Sequence, residues 1–139
     1  MTINFWAVLV SAIVVMILGF VWHGPLFGKK FMGAMGMPMP TDPEVRKQMM
    51  KGMNMIYGMQ FLLFLFQVWI LAKHITYVTD VSAVGVAICL WAGFVMPTVA
   101  SAAMWTNRPS KDKWTIFLVS AGFNLVALGV AGFIIGAWH

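Results

Sequence analysis

Acidic side chains are nearly missing from this 139-residue chain: Asp42, Glu44, Asp80 and Asp112 are the whole complement, and charged residues of both signs make up only 9%. A soluble domain of this size carries about 25%. All four acids fall in connections or at the edge of an apolar run, so no membrane-embedded carboxylate exists for proton relay or metal work. Cys89 is the sole cysteine, which excludes an internal disulfide and any Cys/His zinc framework. No phosphate-cradling P-loop, G-x-S-x-G elbow, H-E-x-x-H helix or paired-acid glycosidase pattern is present, and the expectation is a non-catalytic protein without a cofactor. What the chain does have is apolar bulk. With 61% hydrophobic residues and a mean hydropathy of +0.86, it is neither an ordinary water-soluble fold nor a disordered one. Its length allows one domain, spanning 1–139.

Four stretches carry no Asp, Glu, Lys or Arg: Met1 to Gly28, Gly52 to Ala72, Val81 to Asn107 and Trp114 to His139. Each reaches the roughly 20 residues that cross about 30 Å of hydrocarbon as a helix, and inside lipid a lone apolar run must be helical to satisfy its own backbone. The sequence therefore predicts an all-α membrane protein with four transmembrane helices at about 3–22, 54–75, 81–106 and 114–137. The first run lacks the basic segment that a cleaved signal needs before its apolar stretch, and reads as a retained helix.

Lysine and arginine set the expected orientation. The 23–53 connection holds Lys29, Lys30, Arg46, Lys47 and Lys51, and the 107–113 loop holds Arg108, Lys111 and Lys113; the other side has Lys73 alone. Both basic connections are expected in the cytoplasm, with both termini outside a bacterial inner membrane. The formal charge of +5 is thus a matter of topology and anionic lipid, with no nucleic-acid partner. Trp6, Trp22, Trp69, Trp105, Trp114 and Trp138 fall near predicted span ends, as headgroup-level rings do, whereas Trp91 is expected to face protein.

The connection between the first two spans has its own punctuation. Trp22-His23-Gly24-Pro25 ends the first helix. Thr41-Asp42-Pro43-Glu44 reads as a capping box opening an amphipathic cytoplasmic segment that runs on into the second span. Between them the Met-rich stretch 32–40 reads as a loop or interfacial segment.

The Asn4 to Val21 helix, the Trp22-His23-Gly24-Pro25-Leu26-Phe27-Gly28-Lys29 turn, the Trp91-Ala92-Gly93-Phe94-Val95-Met96-Pro97 segment and the Trp105…Arg108-Pro109…Trp114…Phe117-Leu118…Gly122-Phe123-Asn124 stretch resemble the bacterial domain-of-unknown-function 1761 family over nearly the whole chain. The resemblance implies a small four-helix bacterial membrane protein and brings no established activity with it. Two departures are visible: His23 stands where tyrosine is common, and 32–59 is unusually rich in methionine.

Several residues stand out as candidates. Met32, Met35, Met37 and Met39 follow an M-x-x-M-x-M-x-M spacing, and soft thioethers on a flexible loop suit Cu(I); methionine is equally an adaptable interfacial filler. Tyr57, Gln60, Gln67 and His74 recur at +3, +7 and +7 on one face of the second span, as the wall of a path or pocket or as interhelical hydrogen-bonding groups. Pro97 interrupts the third span, with Thr98 and Ser101 following on the face that leads to Arg108. Gly122, Gly129, Gly132 and Gly136 form a small-residue stripe on the fourth span beside Asn124, ready for a close helix neighbour in this chain or another copy. His23 and Arg108 both belong to turns at the cytoplasmic boundary, either as a convergent pair with Arg108 on a lipid phosphate or, more simply, as an interfacial histidine and an ordinary positive-inside arginine.

Two function classes follow. One is a small channel or transporter, homo-oligomeric, with a path lined by Gln60, Gln67, Thr98 and Ser101. The other is an accessory or scaffold subunit among other membrane proteins. Copper binding by the methionine loop is a third.

Overall fold

The computed structural model describes residues 2–37 and 41–138. Four helical rods in it are long and apolar enough to cross a membrane: Phe5–Leu26, Met53–Tyr77, Ala83–Met104 and Ser110–Ala137. They coincide with the four charge-free blocks, because only a closed helical ladder satisfies the backbone of such a run in hydrocarbon. No strand occurs among the described residues.

The first rod is α1 (Phe5–Val21) followed by one π turn at Trp22–Leu26. Asn4 starts it, its side-chain oxygen accepting from the N–H groups of Trp6 at 3.0 Å and Ala7 at 3.3 Å. The Asn4 amide also donates to the Trp138 carbonyl at 3.3 Å, which ties the two ends of the chain together. Pro25 lacks the N–H that an α-helical ladder needs, and the wider turn absorbs it, with Phe27 N–H reaching back to the Trp22 carbonyl at 3.0 Å. Gly28 is required here: a Cβ would stand 2.5 Å from the His23 carbonyl oxygen.

From Gly28 the chain does not enter a loop. It forms α2 (Gly28–Met35), which corrects the reading of the start of the methionine stretch as irregular. Gly36 ends α2 at φ 73°, with Met37 N–H on the Met32 carbonyl at 3.0 Å and Gly36 N–H on Gly33 at 3.2 Å, the Schellman pattern. Arg108 completes the cap. Its Nε donates to the Ala34 carbonyl at 2.9 Å, one terminal nitrogen lies 3.5 Å from the Gly33 carbonyl, and Asp112 holds the same guanidinium at 3.0 Å. A cation at a helix C-terminus meets both the orphan carbonyls and the negative end of the dipole. Ala34 packs with Ala103 and Ile116 in a small apolar cluster, so α2 is anchored at both its end and its face.

α3 (Pro43–Met49) is capped by Asp42 rather than Thr41, the Asp42 carboxylate accepting from Glu44 N–H at 3.0 Å. Pro43 fits the first helical position, where no N–H is used. α3 does not continue into the second span: Gly52, at φ 82°, turns the chain before α4 (Met53–Tyr77). None of the residues of α3 is buried.

The third rod joins α5 (Ala83–Leu90), a π turn at Trp91–Val95 and α6 (Met96–Met104). Ser82 caps it through Gly85 N–H at 3.1 Å. α7 (Ser110–Ala137) is the longest helix, about 42 Å at 1.5 Å per residue. It packs against α1, α2, α4, α5 and α6, and its buried residues run from Ile116 to Ile135.

Two tryptophans fix that arrangement. Trp22 Nε1 donates to the Val119 carbonyl at 3.0 Å and Trp91 Nε1 to the Ala121 carbonyl at 2.9 Å. A helical carbonyl has a second lone pair and can accept both. Trp22 thus bonds to α7 from near the end of the first rod, and Trp91 faces protein as expected. Three of the four glycines of α7 find neighbours within the chain. A Cβ on Gly132 would lie 3.0 Å from both the Ala83 carbonyl oxygen and the Ala87 methyl, and one on Gly136 would lie 2.7 Å from the Ala83 methyl, so this pair seats α5. Gly122 receives the Trp22 ring at 3.3 Å, and Gly129 faces open space.

Two outcomes follow from this packing. Gly132→Leu will lower the detergent melting midpoint by about 5 °C or more, since overpacking costs about 1–3 kcal/mol, whereas Gly129→Leu will leave it within about 1 °C. Arg108→Ala will raise amide exchange across 28–35 roughly tenfold, as expected for losing a charge-assisted cap of about 1.4 kcal/mol, with residues 7–15 unchanged by mass-spectrometric readout.

Candidate functional site: a polar-lined cavity between three helices

The cavity arises from how α4 is used. Its buried residues, Val68, Leu71, Ala72 and Ile75, all lie in its second half, where they join the α1 stripe of Val8 and Val15 in one core. From Met53 to Gln67 no α4 residue is buried. In this part of the bundle a space of about 510 Å³ lies between α1, α4 and α7.

Polar groups from each wall meet there. The π turn contributes His23, α4 contributes Tyr57 and Gln60, and α7 contributes Asn124. The remaining surface is largely aromatic: Phe20 lies edge-to-face on Tyr57 with centroids 5.2 Å apart, and Phe64 lies 6.1 Å from Phe123. Phe123 is only 6% exposed and also carries His23 at 5.0 Å and Trp22 at 6.4 Å. No Asp, Glu, Lys or Arg lines the space.

Local bonds fix two of the polar groups. His23 Nδ1 donates to the Gly19 carbonyl at 3.3 Å, and Asn124 Nδ2 donates to the Ser120 carbonyl at 2.9 Å, each one turn back. A carbonyl can only accept, so each bond assigns a hydrogen to the nitrogen that makes it and leaves His23 Nε2 and Asn124 Oδ1 outside it.

The other candidates do not join this site. Gln67 and His74 share the face of Tyr57 and Gln60, yet they border a separate, more apolar space of about 390 Å³ between α4, the second π turn and α7, together with Phe66 and Leu128. His74 Nδ1 is bonded to the Ile70 carbonyl at 2.9 Å. The two linings share no residue. Thr98 and Ser101 are exposed on α6, the Thr98 hydroxyl donating to the Phe94 carbonyl at 2.6 Å, and neither meets Gln60 or Gln67; Pro97 is exposed as well. The expected path through these four residues is not assembled within one chain. His23 and Arg108 do not converge either, since His23 lines the cavity and Arg108 caps α2. Met32 and Met35 sit on α2, Met35 packed beside Ala34, Ala103 and Ile116, so the first part of the stretch invoked for Cu(I) is a docked helix, and Met37 follows its end. Met39 lies outside the described residues.

Sequence reasoning missed Phe123, the ring on which the site rests, because one phenylalanine in an apolar helix carries no mark. The indole anchors had a faint one. Trp22-His23-Gly24 and Trp91-Ala92-Gly93 share a W-x-G pattern, and each opens a π turn.

No curated protein and no solved structure matches the chain. A family model does match, over residues 6–136, and its description is a protein of unknown function, DUF1761. That match takes in all four rods but for one residue at each outer end, the two π turns and every wall of the cavity, and the chain belongs to the DUF1761 family.

Proposed function

We propose that this is a non-catalytic, multi-pass protein of a bacterial inner membrane that holds a small uncharged solute in the cavity between α1, α4 and α7. The observation that carries the reading is the convergence of His23, Tyr57, Gln60 and Asn124 from three walls on one space without an acid, lysine or arginine. Polar side chains at membrane depth are costly unless partnered. A cavity of this volume, mostly apolar with a few convergent polar groups, has the make-up of a small-molecule site.

A binding or carrier role fits better than an open channel. The polar face of α4 is divided between two spaces with no common residue, and the packed Val68 and Leu71 lie on the same helix between Phe64 and His74. The bilayer is the protein's first partner. Self-association or a place beside other membrane subunits has less need of the glycine stripe than its spacing suggests, because Gly132 and Gly136 already hold α5. The excess of eight basic residues on one side over Lys73 on the other supports cytoplasmic basic connections with both termini outside.

Thiol accessibility in intact and permeabilised cells tests both parts, in a Cys89→Ser background. Gln60→Cys will react with a membrane-impermeant maleimide only after permeabilisation, together with Cys at 41 and 110, and Gln67→Cys will stay at least tenfold slower from either side. Equal reaction of Gln60→Cys and Gln67→Cys from both sides would establish a continuous water path instead. Labelling of 41 and 110 in intact cells would invert the orientation.

A further inference from the structure

Resting on the reading of this cavity as a solute site, we infer that its solute is an uncharged aromatic ring bearing hydroxyl donors, of the phenol or hydroquinone class. The inference comes from which atoms the protein has already used. A ring whose hydrogen sits on Nδ1, towards the Gly19 carbonyl, offers Nε2 as an acceptor. Asn124 spends one amide hydrogen on the Ser120 carbonyl and keeps Oδ1 as an acceptor and its second N–H as a donor. Tyr57 and Gln60, which line the same space, can each donate or accept and adjust to what arrives. The two groups held in place by their own helices therefore ask for donors. A ligand with acceptors alone would leave His23 Nε2 and Asn124 Oδ1 without a hydrogen, whereas a hydroxyl both gives a hydrogen to one of them and accepts the second Asn124 N–H.

An ammonium is also a donor, but no carboxylate lines the cavity to offset its charge in a low-dielectric surround. Hydroxyl groups supply the hydrogens without that cost. The walls select the rest of the molecule. Phe20, Tyr57, Phe64 and Phe123 present ring faces and edges, against which a flat aromatic ring packs with offset or edge-on geometry. A dry cavity of roughly 150 Å³ already admits benzene, so about 510 Å³ holds a substituted ring. Phe20 is 49% exposed and Tyr57 36%, so the rim is open and an alkyl substituent can lie along the outer face of the bundle among the lipid chains.

The test uses the full-length protein in phospholipid vesicles with two matched photoreactive probes, a diazirine-bearing 4-alkylphenol and its methyl ether, which differ by the single donor. Labelled residues are read by mass spectrometry, with excess unlabelled 4-butylphenol as competitor. The phenol is expected to label 16–24, 57–64 and 123–124 saturably, and the ether to label them at least tenfold less. His23→Phe and Asn124→Leu are each expected to reduce phenol labelling about tenfold while leaving the ether unchanged. If either variant fails to fold, the phenol-to-ether ratio on the unaltered protein still decides. Equal saturable labelling by both probes would overturn the donor requirement and leave the solute pocket standing. Saturable labelling by neither would remove the pocket reading and this inference together. A diazirine-bearing 4-alkylbenzylammonium that labels as strongly as the phenol would overturn the uncharged class.

Discussion

Everything in this bundle leans on the backbone of α7. In a bilayer, lipid tails are as apolar as leucine, so exclusion from water does not drive one helix onto another; close packing and hydrogen bonds do. α7 supplies both. Gly132 and Gly136 let the α5 backbone approach to contact, Gly122 receives a tryptophan ring, and the Val119 and Ala121 carbonyls accept the indole hydrogens of Trp22 and Trp91. These bonds sit two residues apart on one helix and clamp the first and third rods to it. At both places the clamped helix widens into a π turn beginning with the tryptophan itself. Such turns recur at functional sites because they re-aim side chains without ending the rod. Here the first of them aims His23 across Phe123.

The same clamp explains the cavity. α1 is held along its length, by α4 over its first half and by α7 through Trp22. α4 has nothing comparable in its first half: no residue there is buried, and Gly52 lets the chain enter at its own angle. The space that results is not a packing failure. Its polar groups are few and come from different helices, and two of them are oriented by bonds to their own backbones. At the other end of α1, Asn4 joins the start of the chain to its end through the Trp138 carbonyl. α2 is also held by both chemistries, with Ala34 in an apolar cluster and its last carbonyls on Arg108, which Asp112 steadies. A loop-like run of methionine and glycine thereby becomes a helix, because tertiary capping outweighs weak local propensity.

The rods were legible in the sequence because charge cannot enter hydrocarbon cheaply, and the four uncharged blocks match the observed helices to within a few residues. The close-packing role of Gly132 and Gly136 was legible from the GxxxG spacing, though not the identity of the neighbour. Of the polar residues on α4, Tyr57 and Gln60 enter the cavity and Gln67 and His74 do not, although a helical wheel places all four together. A wheel knows the face of one helix but not how far another helix stays beside it. Arg108 looked like any positive-inside residue, since its partners are carbonyls of Gly33 and Ala34, distant in sequence and silent in it.

By itself, then, the sequence determined which segments are rods, where they end and which faces are small or polar, for those follow from solvation and from the 3.6-residue period. Only the tertiary structure decided that Trp22 and Trp91 grip α7, that α5 fills the glycine notch, that Arg108 closes α2, and that His23, Tyr57, Gln60 and Asn124 line one space. Those outcomes depend on crossing angles and on backbone carbonyls with a spare lone pair, and neither is written in the identity of any single residue.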